Sequence, residues 1–347
     1  MGEPVVVWVF VLTVFVMALV GTGWLRSYAV ARELMDVPNQ RSSHAVPTPR
    51  GGGLAVVIAF EAALMAGWAM GALGSDVVFG LGGAGAGVAL LGFLDDHGHI
   101  PAKWRLAGHF LASGWFLVSL GDLPPIVFGD SVIFSGTALW LFFCLYLVWM
   151  LNLYNFMDGI DGLAGVEAVT VCLSGALVSW SAGLASGALL PLLFGGAMAG
   201  FLVWNLPPAR IFMGDVGSGF AGMTLGGLSL YATVQAPPLF WAWLILLGVF
   251  IVDATVTLVR RVLAGYPPHQ AHRSHGYQYA SRRFRSHRAV TLAVGVINVV
   301  WLLPLALLVS WGWLPSVIGL VIAYLPLACL AWLFRSGDVR YQDLSGI

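Results

Sequence analysis

Long apolar runs alternate along this chain with short polar connections, and most runs approach the length that crosses a bilayer. A spanning helix needs roughly 20 apolar residues. The runs fall at about 4–25, 52–74, 77–94, 105–121, 137–153, 163–182, 188–206, 217–235, 239–259, 290–310 and 314–334. This pattern predicts an all-α, polytopic membrane protein of about eleven transmembrane helices, forming a single domain over 1–347. The first run reads as a span rather than a secretory leader. Glu3, not a basic residue, precedes it, and no small-residue cleavage site follows.

The polar positions orient the pattern. Alternate connections, 26–51, 95–104, 154–162, 207–216, 260–289 and 335–347, hold or border all sixteen Lys and Arg, from Arg26 and Arg32 to Arg335 and Arg340. The opposite connections carry acids such as Asp76, Asp122 and Asp130. By the positive-inside rule the basic side is cytoplasmic, with the N-terminus outside and the C-terminus inside. All eight histidines share that side. Composition agrees, with 59% hydrophobic and 9% charged residues, against about 25% charged in an ordinary soluble domain. A formal net charge of zero gives no reason to expect nucleic acid as a partner. Cys144, Cys172 and Cys329 lie in apolar runs without disulfide or metal spacing.

Five of the basic-side connections carry chemistry. The densest is Asn152-Leu-Tyr-Asn155-Phe-Met-Asp158-Gly-Ile-Asp161-Gly-Leu-Ala-Gly165, polar groups that are costly beside a membrane. Its bland reading is a capped turn. The first loop runs from Asp36 through Arg41, His44 and Arg50 to the triplet Gly51-Gly-Gly53. Arg and His before a helix N-terminus suit an anion, and the triplet permits close backbone approach where the next helix starts. Asp95 and Asp96 are adjacent carboxylates at the end of a helix, where negative charge sits badly unless a cation or base relieves it. Phe212-Met-Gly214-Asp215-Val-Gly217-Ser218-Gly219 opens another helix, with Asp215 as N-cap or ligand and Phe212 as an interface aromatic or a stacking platform. The last loop holds His272-Arg273-Ser274-His275, chemistry that suits phosphate better than zinc because no Cys accompanies it. The later arginines, Arg282 to Arg288, read as orientation charges touching anionic lipid heads. Mg²⁺ usually takes one or two carboxylates plus substrate phosphates and waters. Five motif acids are therefore too many for one shell, and some serve as bases or substrate contacts.

In this order the motifs resemble the polyprenyl-phosphate N-acetylhexosamine-1-phosphate transferases, over roughly Asp36 to Tyr277. The resemblance implies a bacterial inner-membrane enzyme with its active site on the cytoplasmic face. A UDP-N-acetylamino sugar and undecaprenyl phosphate would give an undecaprenyl-diphospho-sugar and UMP, with Mg²⁺ as cofactor or Mn²⁺ in its place. It further implies Asp215 as principal metal ligand with Asp96 beside it, and Asp95 as the base that keeps the lipid phosphate ionised. Asp158 and Asp161 join the catalytic set, and Asn152 and Asn155 the substrate site. Phe212 would lie under uracil, and His272, Arg273 and His275 on the diphosphate or sugar, with Arg41 and His44 as further phosphate contacts. A homo-oligomer is compatible with this reading.

The lipid I enzyme pattern has three consecutive histidines in the last loop, whereas this chain has His-Arg-Ser-His. That points to the O-antigen-initiating branch over the phospho-N-acetylmuramoyl-pentapeptide transferases. A secondary transporter is the rival of another class. Transporters place ionisable groups near the midplane, and only Glu61 and Asp253 are read as falling inside spans here.

Overall fold

A computed structural model describes residues 3–37, 46–98, 100–128, 131–267 and 272–338. A helix stands at every predicted run. In chain order they are α1 (Glu3–Ala31), α2 (Gly53–Ala69), α3 (Ser75–Gly98), α4 (Ala102–Leu120), α5 (Gly136–Met157), α6 (Leu163–Ser181) and α7 (Ala185–Asn205). They continue with α8 (Asp215–Gln235), α9 (Pro238–Leu246), α10 (Gly248–Leu263), α11 (Gly276–Phe284), α12 (His287–Ser310) and α13 (Ser316–Leu333). Among the described residues, seven helices are long and apolar enough to cross a membrane: α1, α3, α5, α6, α7, α12 and α13. The pair α9 and α10, bent by 72°, would make an eighth span.

The remaining runs fall short for reasons visible in their residues. α2 has only 17 residues. α4 carries Lys103, Arg105 and His109 in its first half. α8 is diluted by glycine, serine and threonine, and it is buried at nearly every position from Val216 to Leu230. A helix sheathed by other helices needs no apolar exterior, and small residues let its neighbours close in. α8 therefore forms the axis of the bundle, flanked most closely by α3 and α5.

The described residues are mostly helical, as expected, with one addition and one correction. The described chain is not purely helical, since Met35–Asp36 (β1) pairs antiparallel with Thr48–Pro49 (β2), and Ile126–Phe128 (β3) with Ser131–Phe134 (β4). Ribbons of two to four residues are too short to leave a period-2 signal. Nor are Glu61 and Asp253 the only acids in helices of the bundle. Glu167 on α6 is fully buried, and Asn298 of α12 donates to its Oε2 at 2.7 Å and to Thr170 Oγ1 at 2.8 Å.

Asp253 has a clear structural task. On α10, its carboxylate accepts from the backbone N–H groups of Gly276 (2.8 Å) and Tyr277 (2.9 Å) and from Ser336 Oγ (2.8 Å). It thus caps α11 from outside, a favourable place for negative charge, and fixes the loop that carries His272 and His275. Removing the acceptor leaves buried donors unsatisfied, at about 1–3 kcal/mol each. Asp253→Ala is therefore expected to lower the melting temperature in detergent by several degrees. An unchanged melt would remove the anchoring role.

Candidate active site

The polar connections meet at one end of the bundle. Arg105, in the first turns of α4, forms an ion pair with Asp95 from the last turn of α3, and its Nη1 lies 3.8 Å from Asp215 Oδ2 at the start of α8. Asp95 Oδ1 also accepts from Ile100 N at 2.7 Å. Asn155, near the end of α5, donates to Asp215 Oδ1 at 2.9 Å and to Ser218 Oγ at 2.8 Å. Asp96 faces the α8 N-terminus, accepting from Val216 N at 3.3 Å, with Arg50 Nη1 3.8 Å away. Two turns far apart in sequence thus deliver their carboxylates to one place, and a third delivers the amide of Asn155.

Glycine makes that approach feasible. A Cβ on Gly92 of α3 would sit 2.5 Å from the carbonyl oxygen of Asp215, and one on Gly53 only 2.4 Å from Gly217 Cα. No side chain fits at either crossing, so α2, α3 and the start of α8 converge backbone to backbone. The close approach expected for the glycine triplet is therefore made, with Gly53 against Gly217.

A cavity of about 400 Å³ opens beside these groups, walled by Asp95, Arg105, His109, Asn155, Asp215 and His275. Asn152 and His272 line it as well, and Asn152 Nδ2 lies 3.3 Å from His109 Nδ1. His275 is buried, its ring 4.9 Å from that of His272. Burial first, then neighbouring positive charge, pushes both imidazoles down to about 3. Both are neutral at pH 7 and offer N–H donors rather than full charges.

Asp158 ends α5, its N–H bonded to Asn155 O at 3.3 Å. Burial raises its carboxyl to about 7, with the charges of Asp215, Asp96 and Asp161 adding to the effect. Asp161 faces elsewhere. It accepts from Ala209 N at 3.0 Å and lies 3.3 Å from His287 Nδ1, lining a second cavity that Arg273 also borders. Phe212 is half-buried and stands outside the wall of the first cavity, its backbone paired with Pro49 and Gly52. Arg41 and His44 lie outside the described residues.

Sequence reasoning missed Arg105 and His109 as site residues and read Arg105 only as an orientation charge. The available signal was helical spacing. Arg105 and His109 are one turn apart on α4 and face the same way.

The donor set suits a divalent cation. Among the described residues no three His, Cys, Asp or Glu side chains form a closed coordination group. Mg²⁺, however, is held by one or two carboxylates and completed by substrate phosphates and water. Asp96 stands just outside the cavity wall and is electrostatically opposed to Asp215, and a cation between them would relieve that repulsion.

Residues 78–233 match the family model described as "Glycosyl transferase family 4". A probable undecaprenyl-phosphate N-acetylglucosaminyl 1-phosphate transferase of Bacillus subtilis is 30% identical, covering 82% of this chain and 79% of its own length. The chain belongs to glycosyl transferase family 4. A decaprenyl-phosphate N-acetylglucosaminephosphotransferase of Mycolicibacterium smegmatis is 29% identical, covering 82% of this chain and 77% of its own length. A phospho-N-acetylmuramoyl-pentapeptide-transferase of Shouchella clausii is 27% identical over 61% of this chain and 68% of its own length. The family match runs through α3 to α8, the helices that carry Asp95, Asn155 and Asp215.

Proposed function

We propose that this chain transfers an N-acetylamino-sugar 1-phosphate from a UDP-sugar to undecaprenyl phosphate, yielding an undecaprenyl-diphospho-sugar and UMP. The observation that carries the reading is the meeting of Asp95, Asn155, Arg105 and Asp215 at one cavity. The polyprenyl-phosphate transferases among its relatives support it, and they match more of the chain than the muramoyl-pentapeptide transferase does. The His-Arg-Ser-His loop favours the O-antigen-initiating branch. In this reading the eleven helical runs all cross or fill the inner membrane, with the motif-bearing end in the cytoplasm, as the distribution of Lys and Arg requires.

Phosphoryl transfer asks a protein mainly for positioning and charge neutralisation. Asp215, with Asp96, would hold a Mg²⁺ ion that supplies charge neutralisation at the diphosphate and at the departing UMP. Asp95, held by Arg105 and Ile100 N, would act as general base and take the proton from a protonated lipid phosphate. The lipid phosphate oxygen attacks the β-phosphorus, and the bond from that phosphorus to the bridging oxygen breaks with its electron pair leaving on UMP. His272 and His275 donate N–H groups to the donor, and Asn155 fixes Asp215. Two charged substrates meeting at one site need no covalent relay.

Purified protein given undecaprenyl phosphate and a panel of UDP-amino sugars should release UMP with at least one of them. Turnover of UDP-muramoyl-pentapeptide alone would move the chain to the other branch. Substrate flux without UMP would make it a transporter.

Asp158 adds a pH signature. Its carboxyl is raised to about 7, so below that pH it holds a proton, and a cation held by Asp215 and Asp96 would favour its release through charge. Mg²⁺ affinity is therefore expected to climb with pH and level off above about 7, with at most a tenfold loss per pH unit below. Mn²⁺ titration from pH 5.5 to 8.5 reads this directly; a flat profile would uncouple Asp158 from the metal.

A further inference from the structure

The arginines after the last loop do more than mark a membrane face. Arg273, Arg282, Arg285 and Arg288 line one cavity of about 680 Å³, together with His287, Asp161 and the Pro207-Pro208 turn. It shares no wall residue with the cavity that holds Asp95 and Asp215. Four guanidinium groups thus face one carboxylate among the described residues, and that carboxylate already accepts from Ala209 N and faces His287. Arg282, Arg285 and Arg288 form no ion pair with any described carboxylate. Burial and the adjacent Arg273 both pull Arg282 below its usual value, as expected where like charges are pressed together.

The backbone presents these side chains deliberately. Arg285 takes the left-handed conformation that follows α11 (φ 52°), a position where glycine is ordinarily favoured. Ser286 then caps α12, accepting from Ala289 N at 3.1 Å, so the free N–H groups of a long helix open beside the same cavity. Concavity, excess positive charge and a helix N-terminus all call for one chemistry. Guanidinium forks pair best with phosphate oxygens.

We propose that this cavity is a phosphate-binding site separate from the reaction cavity, taking a phosphate group carried by an anionic phospholipid head or by a soluble phosphate compound. Its occupant would pair with Arg282, Arg285 and Arg288 and brace the His287–Asp161 contact, and with it the back of the Asp158–Asp161 stretch.

The test uses full-length protein in nanodiscs, without divalent cations. One arm titrates inorganic pyrophosphate into phosphatidylcholine discs by calorimetry. The other counts phosphatidylglycerol retained from mixed discs by native mass spectrometry. The double variant Arg285→Gln/Arg288→Gln should weaken binding about tenfold or more in whichever arm carries the ligand, while Arg105→Gln leaves it unchanged. A response in the pyrophosphate arm identifies a soluble phosphate, and one in the lipid arm a headgroup. Arg288→Gln alone, on an exposed side chain, should give about a threefold loss and keeps the test valid if the double variant does not fold. The proposal is overturned if the wild type binds neither probe or the arginine variants bind as it does. It fails equally if Arg105→Gln removes binding as fully, since the anion would then occupy the reaction cavity.

Discussion

Asp215→Asn is expected to abolish Mg²⁺-dependent UMP release, by about three orders of magnitude or more, while the protein still folds in detergent. The asymmetry follows from its surroundings. Asp215 Oδ1 accepts from Asn155 at 2.9 Å, and an amide oxygen at that position still can, so the local hydrogen bond survives. What is lost is the negative charge at the start of α8, between Arg105 and the α3 carboxylates. Melting temperature and rate should therefore separate, with the first nearly unchanged and the second nearly gone. Turnover within tenfold of wild type would remove Asp215 from the site.

Gly92→Ala should be almost as damaging, although position 92 contributes no functional group. The added Cβ would meet Asp215 O at 2.5 Å, Asp215 C at 2.6 Å and Val216 N at 2.6 Å, all backbone atoms that cannot swing aside. Relief requires α3 and α8 to move apart, which carries Asp95 and Asp96 away from Asp215. A displacement near 1 Å at reacting groups costs roughly a hundredfold in rate, and overpacking adds about 1–3 kcal/mol of destabilisation. UMP release by Gly92→Ala, compared with Gly87→Ala, isolates the effect, because nothing lies within 4 Å of a Cβ at Gly87. Equal rates in the two variants would show that the α3–α8 crossing does not set the site.

These two residues illustrate what could be read in advance. Asp215 stood out in its motif as N-cap or ligand, because an acid there follows a glycine at the mouth of an apolar run. Gly92 was not. It is one glycine among 44, and only the crossing of two helices distinguishes it. Arg105 lay in plain view but looked like a charge that merely orients the chain. Its ion pair with Asp95 exists because α4 folds back beside α3, a packing outcome rather than a local signal. Arg273 and His272 are sequence neighbours assigned together, yet they border different cavities. Side chains of successive residues in a loop point apart, and spacing alone does not say which way each turns.

The helical runs, their order and the gathering of charge in alternate connections were fixed by composition and periodicity, because lipid tolerates few other solutions. Which helix is the sheathed axis, which acids touch, and which arginines close a cavity depended on packing between residues 60 to 130 positions apart. Such contacts arise from how helix surfaces fit together, and a linear pattern of apolar and polar residues does not encode that fit.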